Sequence, residues 1–218
     1  MKVLVTSGAT REPIDSVRFI SNVSSGRTGA AICDALVARG LDVTHVHGVD
    51  SAVSIRVARR ETFTDHGSLD TILRRLLRDS ACDAVIHAAA VGDFSVAGPP
   101  PDAKIESGQE LNVQLRPTYK IIDRIRGYAG NHDLLLVGFK LTHDPDAAAQ
   151  ARAARELLKR SRARYVVQND VSTLAEGDEH VFFVHENGSS RVRRYVGRTK
   201  LASALAALIE EQLKDSPR

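Results

Sequence analysis

Tryptophan is absent from this 218-residue chain, methionine occurs once, cysteine twice, and aromatic residues make up only 5%. A core with so few large rings must be filled by Val, Leu, Ile and Ala, which suits a parallel sheet covered by helices. Cys33 and Cys82 belong to no Cys-x-x-Cys pair. That excludes a disulfide framework and a cysteine zinc site, and points to a reducing, cytoplasmic setting with both thiols buried. No apolar run approaches the ~20 residues that span a bilayer. The apolar stretch after Met1-Lys2 is too short for a signal peptide, so no membrane role is expected. A net charge of +3 is too mild to imply nucleic acid. The Arg-rich stretch 152–164 carries no interleaved aromatics for base stacking and reads as a solvated helix face.

What is present is an ordinary globular balance, 43% apolar and 26% charged, expected to form one domain over residues 1–218. Continuous apolar strands are expected at 3–6, 42–46, 54–58, 84–88, 134–139 and 164–167. Helices are expected at 26–39, 69–78, 145–160 and 200–213. Strand and helix in alternation mean an α/β, Rossmann-like three-layer fold with a mostly parallel central sheet. Asn187-Gly188 between two β-rich runs predicts a C-terminal hairpin. Residues 98–117 hold Pro99-Pro100-Pro101 and a short alternating piece, and read as a projecting flap. Its strand edges would be exposed unless a second copy covered them, so a homodimer is expected.

The first thirty residues are the most informative. A strand runs into Gly8, then a polar loop, then Ser24-Ser25-Gly26 at the mouth of an Ala-rich helix. A helix start offers unpaired N–H groups and partial positive charge, which suit phosphate. Ligands of open α/β sheets sit beyond the carboxyl ends of the strands. The loops there contribute Asn22, Ser24, Ser25, Lys140 and Asn169 as donors, with Asp93 and Asp170 as carboxylates. An NAD(P)-binding oxidoreductase is a weaker reading. There is no Gly-x-Gly-x-x-Gly, no carboxylate at the end of the second strand, and no Tyr-x-x-x-Lys. His45 and His47 share one side of a strand but lack a third metal ligand.

The stretch Gly8-Ala-Thr-Arg-Glu-Pro-Ile-Asp-Ser-Val-Arg-Phe-Ile-Ser-Asn22-x-Ser24-Ser25-Gly26-x-x-Gly29 closely resembles the signature of phosphopantothenoylcysteine synthetase, the phosphopantothenate–cysteine ligase of coenzyme A synthesis. Ala88–Phe94, Lys104-Ile105, Val137–Leu141 and Asn169–Val171 resemble its further motifs, in family order.

The resemblance implies a two-step ligation of 4′-phosphopantothenate to L-cysteine. CTP or ATP with Mg²⁺ activates the carboxylate through an acyl-nucleotide. It implies Asn22 on the acyl carbonyl and Lys104 on the triphosphate as catalytic residues. Gly8, Thr10, Ser24, Ser25 and Gly26 would hold phosphates. Ala89, Ala90, Phe94, Phe139 and Lys140 would accommodate the nucleotide, with Asp93 on the ribose or on Mg²⁺. Arg18 and Asn169 would meet substrate, with Lys140 and Asn169 facing either the nucleotide or the substrate phosphate. Relatives are often fused behind a flavin-binding decarboxylase. This chain opens directly on the ligase motif, so no flavin is expected here and a separate flavin-dependent decarboxylase would act on the product. Gly92 stands where alanine is usual, and Glu106-Ser107 follows Lys104-Ile105 where bacterial members carry lysines. These departures leave a non-catalytic nucleotide-binding paralogue as the alternative.

Overall fold

The structure, a computed structural model, describes residues 1–79, 81–98, 102–108, 110–129, 133–173 and 180–215. In chain order the strands and helices are β1 (Lys2–Ser7), β2 (Arg11–Pro13), β3 (Phe19–Ser21), α1 (Arg27–Ala38), β4 (Asp42–Gly48), β5 (Arg59–Phe63), α2 (His66–Asp79) and β6 (Ala84–His87). There follow β7 (Phe94–Val96), β8 (Leu115–Pro117), α3 (Ile125–Ala129), β9 (Leu135–Thr142), α4 (Ala147–Ser161), β10 (Tyr165–Asp170), β11 (Val181–Glu186), β12 (Val192–Val196) and α5 (Arg198–Asp215).

Eight strands form one sheet in the order β12-β11-β10-β9-β6-β1-β4-β5. The β5-to-β10 part is parallel, and the β11–β12 hairpin adds two antiparallel strands at one edge. Successive residues of the central strands are buried on opposite faces. Val3, Val5, Ile86 and Val137 pack with Leu36 of α1 and Leu205 of α5. Leu4, Val85, Leu136 and Val166 pack with Leu73 of α2 and Leu157 of α4. Burial on both faces is why these strands read as unbroken apolar runs. Each fully buried Leu or Ile contributes about 1.5–3 kcal/mol relative to exposure. The order of strands reverses between β1 and β6, which puts the topological switch point at the molecule's centre.

The sequence expectations hold for the fold class and for most elements, with these differences. The strand expected at 54–58 lies instead at Arg59–Phe63, and Ile55 is 87% exposed. β5 is the sheet edge beyond β4, so only its last residue, Phe63, is buried and no apolar run marks it. The hairpin keeps Asn187-Gly188 in its turn, but residues 187–191 separate the strands rather than two residues. The flap's base is an antiparallel ribbon, β7 against β8, with Phe94 opposite Pro117 and Val96 opposite Leu115. Residues 99–101 and 109 of the flap lie outside the described residues. A second small ribbon, β2 against β3, occupies what reads in sequence as loop.

Candidate functional site

The carboxyl ends of β1 and β6 are zipped together past the sheet proper. Ala88 N donates to Thr6 O (3.0 Å), Ala90 N to Gly8 O (2.7 Å) and Thr10 N to Ala90 O (3.2 Å). This fixes Ala88–Ala90 as a backbone floor bearing only methyl side chains. Gly8 makes the turn at φ +84°, where a Cβ would lie 2.0 Å from Ser51 Oγ. Thr10 is buried and its Oγ1 accepts the Gly92 N–H (2.9 Å). Gly8 and Thr10 therefore shape the floor from behind.

Above the floor stands the start of α1. Its N-cap is Gly26, at φ +73° with no side-chain cap. Ser24 and Ser25 do not cap the helix, and Ser25 O instead accepts Ala52 N (2.9 Å). The first helical bond is Ala30 N to Gly26 O (3.0 Å), so the N–H groups of Arg27, Thr28 and Gly29 precede any intrahelical acceptor. Gly29 lets the helix sit on the end of β1, since a Cβ there would meet Ser7 Cβ at 2.3 Å. Between this helix start and the floor lies a cleft of about 330 Å³. Its walls include Ser24, Ser25, Gly26, Ala89, Ala90, Phe139 and Asn169, which the sequence reading singles out.

The far wall contains residues that the sequence reading missed: His180, Phe182 and Arg198. His180 is buried and stacks on Phe182, with ring centroids 4.2 Å apart and planes 24° from parallel. Burial, then the positive charge of Arg198, holds the His180 imidazole below its ordinary pKa. Asn169 Nδ2 lies 3.0 Å from His180 Nε2. The next residue, Asp170, is a structural hub. It accepts from Thr142 Oγ1 (2.6 Å), Ser172 Oγ (2.7 Å) and Asp144 N (3.2 Å), and the Thr142 and Ser172 hydroxyls hold its carboxyl well below the usual range.

Other expected site residues lie outside the cleft wall. Asn22 is exposed at the rim, its Nδ2 donating to Val91 O (3.1 Å). Arg18 Nη1 bonds Asp15 Oδ2 (2.6 Å) and Ile105 O (3.2 Å), while Asp15 also accepts from Val17 N, Arg18 N and Ile105 N. Burial would raise the Asp15 pKa, but these backbone donors outweigh it and lower it. The buried carboxylate thus ties the flap to the first motif and leaves Lys104, beside Ile105, exposed. Asp93 and Phe94 are exposed at the flap's base, with Asp93 ion-paired to Lys120. Lys140 follows Phe139 on β9 and so points to the opposite face of the sheet from the cleft. The His45–His47 pair is structural. His45 is buried against Ser7 Oγ (2.7 Å), and no group of three His, Cys, Asp or Glu suited to a metal occurs among the described residues.

Comparison with known proteins agrees with this geometry. The chain is 36% identical over 97% of its length to the coenzyme A biosynthesis bifunctional protein CoaBC of Thermococcus kodakarensis, of which it covers 51%. It thus spans about half the length of the curated relatives it matches. The crystal structure of the DNA/pantothenate metabolism flavoprotein from Streptococcus pneumoniae superposes with a TM-score of 0.84 at 26% identity, covering 97% of this chain and 99% of that one. A Cab2 mutant in complex with phosphopantothenate-cysteine shares the fold, with a TM-score of 0.77 at 21% identity over 98% of this chain and 87% of that one. The family described as the DNA/pantothenate metabolism flavoprotein C-terminal domain matches residues 1–213. With the glycine-led helix start, the alanine floor and the switch-point cleft in place over that span, the chain belongs to this family.

Proposed function

We propose that this protein joins 4′-phosphopantothenate to L-cysteine, using a nucleoside triphosphate to activate the carboxylate. The observation that carries this reading is the uncapped start of α1 at Gly26, facing the Ala88–Ala90 floor across the cleft. The N–H groups of Arg27, Thr28 and Gly29, which precede any intrahelical acceptor, and the helix dipole favour a polyphosphate, and Arg198 adds positive charge from the far wall. Family membership and the coenzyme A biosynthesis relatives support the pathway. The product-like ligand named for Cab2 supports the substrate pair.

In this reading a carboxylate oxygen of phosphopantothenate attacks the α-phosphorus and pyrophosphate leaves, giving a mixed acyl-nucleotide anhydride. The cysteine amine then adds to the acyl carbon, loses a proton, and expels the nucleoside monophosphate. Positioning and charge stabilisation supply most of the rate, so no activated nucleophile is required of the protein. In this reading the helix start holds the phosphates, and Lys104 on the flap closes over them. Asp15 and Arg18 fix the flap's approach to the first motif. Mg²⁺ brought in on the triphosphate would neutralise its charge. Asp93, a single carboxylate facing Lys120, would offer at most one ligand to it. A second copy of the chain completes the assembly. Phe19 on one ribbon, with Phe94 and Leu115 on the other, is 42–53% exposed and needs a cover. Sedimentation should show a dimer. The reading places the enzyme in the cytoplasm.

The test is pyrophosphate release from protein, Mg²⁺, CTP or ATP, phosphopantothenate and cysteine. Release that requires phosphopantothenate supports the ligase, while nucleotide binding without release supports the non-catalytic paralogue. Asn22→Asp gives a sharper result. In this reading the Asn22 amide meets the acyl carbonyl, and a carboxylate there would repel the charge that develops on it. Loss of one such donor slows the step about 100-fold. Cysteine transfer should slow by that factor and the acyl-nucleotide should accumulate, seen by rapid quench and chromatography. Wild-type turnover would remove Asn22 from the mechanism.

A further inference from the structure

The two ends of the cleft differ in chemistry. One end is the helix start at Gly26, positively polarised and suited to phosphates. The other is walled by the half-buried Phe139 and the buried, mutually stacked His180 and Phe182, with Leu141 48% exposed at the rim, an apolar environment suited to a heteroaromatic ring. Asn169 lies in that second wall, on the same face of β10 as the buried Tyr165 and Val167.

The orientation of the Asn169 amide is set by its neighbour. Its Nδ2 lies 3.0 Å from Nε2 of His180. With the amide nitrogen facing it, a neutral imidazole accepts at Nε2 and carries its proton on Nδ1. His180 is buried and stacked on Phe182, so its ring stays in place, and burial together with Arg198 favours the neutral form. An amide whose nitrogen is committed to His180 must present its oxygen on the other side. Among the described residues that Oδ1 has no donor, and Asn169 belongs to the cleft wall together with Phe139, His180 and Phe182.

We infer that Asn169 reads the nucleobase: its Oδ1 accepts the exocyclic amino group of cytosine or adenine, and His180 is the positioning residue that holds it in the accepting orientation. The inference rests on the nucleotide-dependent ligase reading above, and it assigns these two residues to choice of base. Uracil and hypoxanthine carry a carbonyl oxygen where cytosine and adenine carry the amine. Against Asn169 that oxygen would oppose lone pair to lone pair and leave a desolvated acceptor unpaired. Such a mismatch amounts to about 10-fold or more in binding. A pocket reading only the amine accepts both a pyrimidine and a purine, so CTP and ATP fall together, and UTP and ITP fall together.

Calorimetric titration of the intact protein with the four magnesium triphosphates tests this, with inorganic tripolyphosphate as a probe of the phosphate end alone. CTP should bind more tightly than UTP, and ATP more tightly than ITP, by about 10-fold or more. In Asn169→Ala both ratios should fall to near unity while tripolyphosphate still binds. His180→Phe keeps the ring stack on Phe182 but lets the amide turn over. It too should erase discrimination, and a merely structural role would not move that ratio. Retention of the cytosine and adenine preference in both variants overturns the inference, as does a wild-type preference for UTP and ITP. Equal binding of all four by the wild type defeats the base-reading role while leaving the ligase reading standing. Failure of every triphosphate and of tripolyphosphate to bind the folded wild-type protein defeats both.

Discussion

Gly26→Ala is expected to destabilise the protein by about 2–5 kcal/mol and to abolish measurable binding of a magnesium triphosphate. Two effects add. An alanine held at φ +73° incurs about 1–2 kcal/mol of left-handed strain. Its Cβ would also lie 2.9 Å from Ser51 Cβ and 3.3 Å from Ala52 N, and overpacking of that kind costs about 1–3 kcal/mol. The chain can relieve both by turning residues 25–29, which moves the N–H groups of the helix start off the cleft. Gly40→Ala is the control. It sits just past the other end of α1 at φ +77° with nothing within 4 Å of the new Cβ, so it incurs strain alone. Thermal unfolding should register both variants, and calorimetry should find lost triphosphate binding only in Gly26→Ala. Wild-type affinity in Gly26→Ala would remove the helix start from the site.

Acid should unfold the protein in a window set by histidines before its carboxylates titrate. Burial, with His47 as a lesser contributor, holds His45 down to about 4, and burial alone holds His87 at about 4, against an ordinary 6.5. His45 bonds Ser7 Oγ at 2.7 Å and His87 bonds Thr6 Oγ1 at 2.9 Å, so both lie beneath the cleft floor. The folded state holds the rings neutral and the unfolded state binds the proton more readily. Stability is therefore full above pH 6.5 and is lost as pH falls from 6.5 toward 4, by on the order of 3 kcal/mol for each ring. Asp70 and Asp170 have lowered pKa values, and their contribution is lost only at lower pH, below the ordinary carboxylate range. Melting temperatures between pH 7 and 4 should fall steeply for wild type and much less for a His45→Gln, His87→Gln double variant. Parallel curves would place the acid sensitivity elsewhere.

Much of this architecture is written locally in the chain. The unbroken apolar runs around Val3–Val5 and Ala84–Ile86 are long enough and bounded sharply enough to be read as buried parallel strands. Gly8, Gly26 and Gly29 mark three places where backbone or helix approaches closely, as the atoms a side chain would strike show. The far wall of the cleft was not legible, because an antiparallel strand reverses the rule. Ligand groups follow parallel strands, but they precede β11, so His180 arrives ahead of its strand. Arg198 arrives after β12, once the hairpin has returned to the same sheet end. Lys140 shows the weight of parity. β9 continues to Thr142, so Phe139 and Leu141 share the cleft face and the lysine between them does not. Asp15 draws two distant segments together through backbone donors at Val17, Arg18 and Ile105, and no spacing in the sequence announces a contact of that range.

The measurement that bears most directly on carboxylate activation in this cleft is an isotope transfer. Phosphopantothenate labelled with heavy oxygen in its carboxylate is turned over with cysteine and magnesium CTP or ATP, and the phosphorus-containing products are weighed by mass spectrometry. Attack at the α-phosphorus predicts one labelled oxygen in the nucleoside monophosphate and none in pyrophosphate. Label in inorganic phosphate with a nucleoside diphosphate as coproduct, or no label in any phosphorus product, would contradict an acyl-nucleotide route.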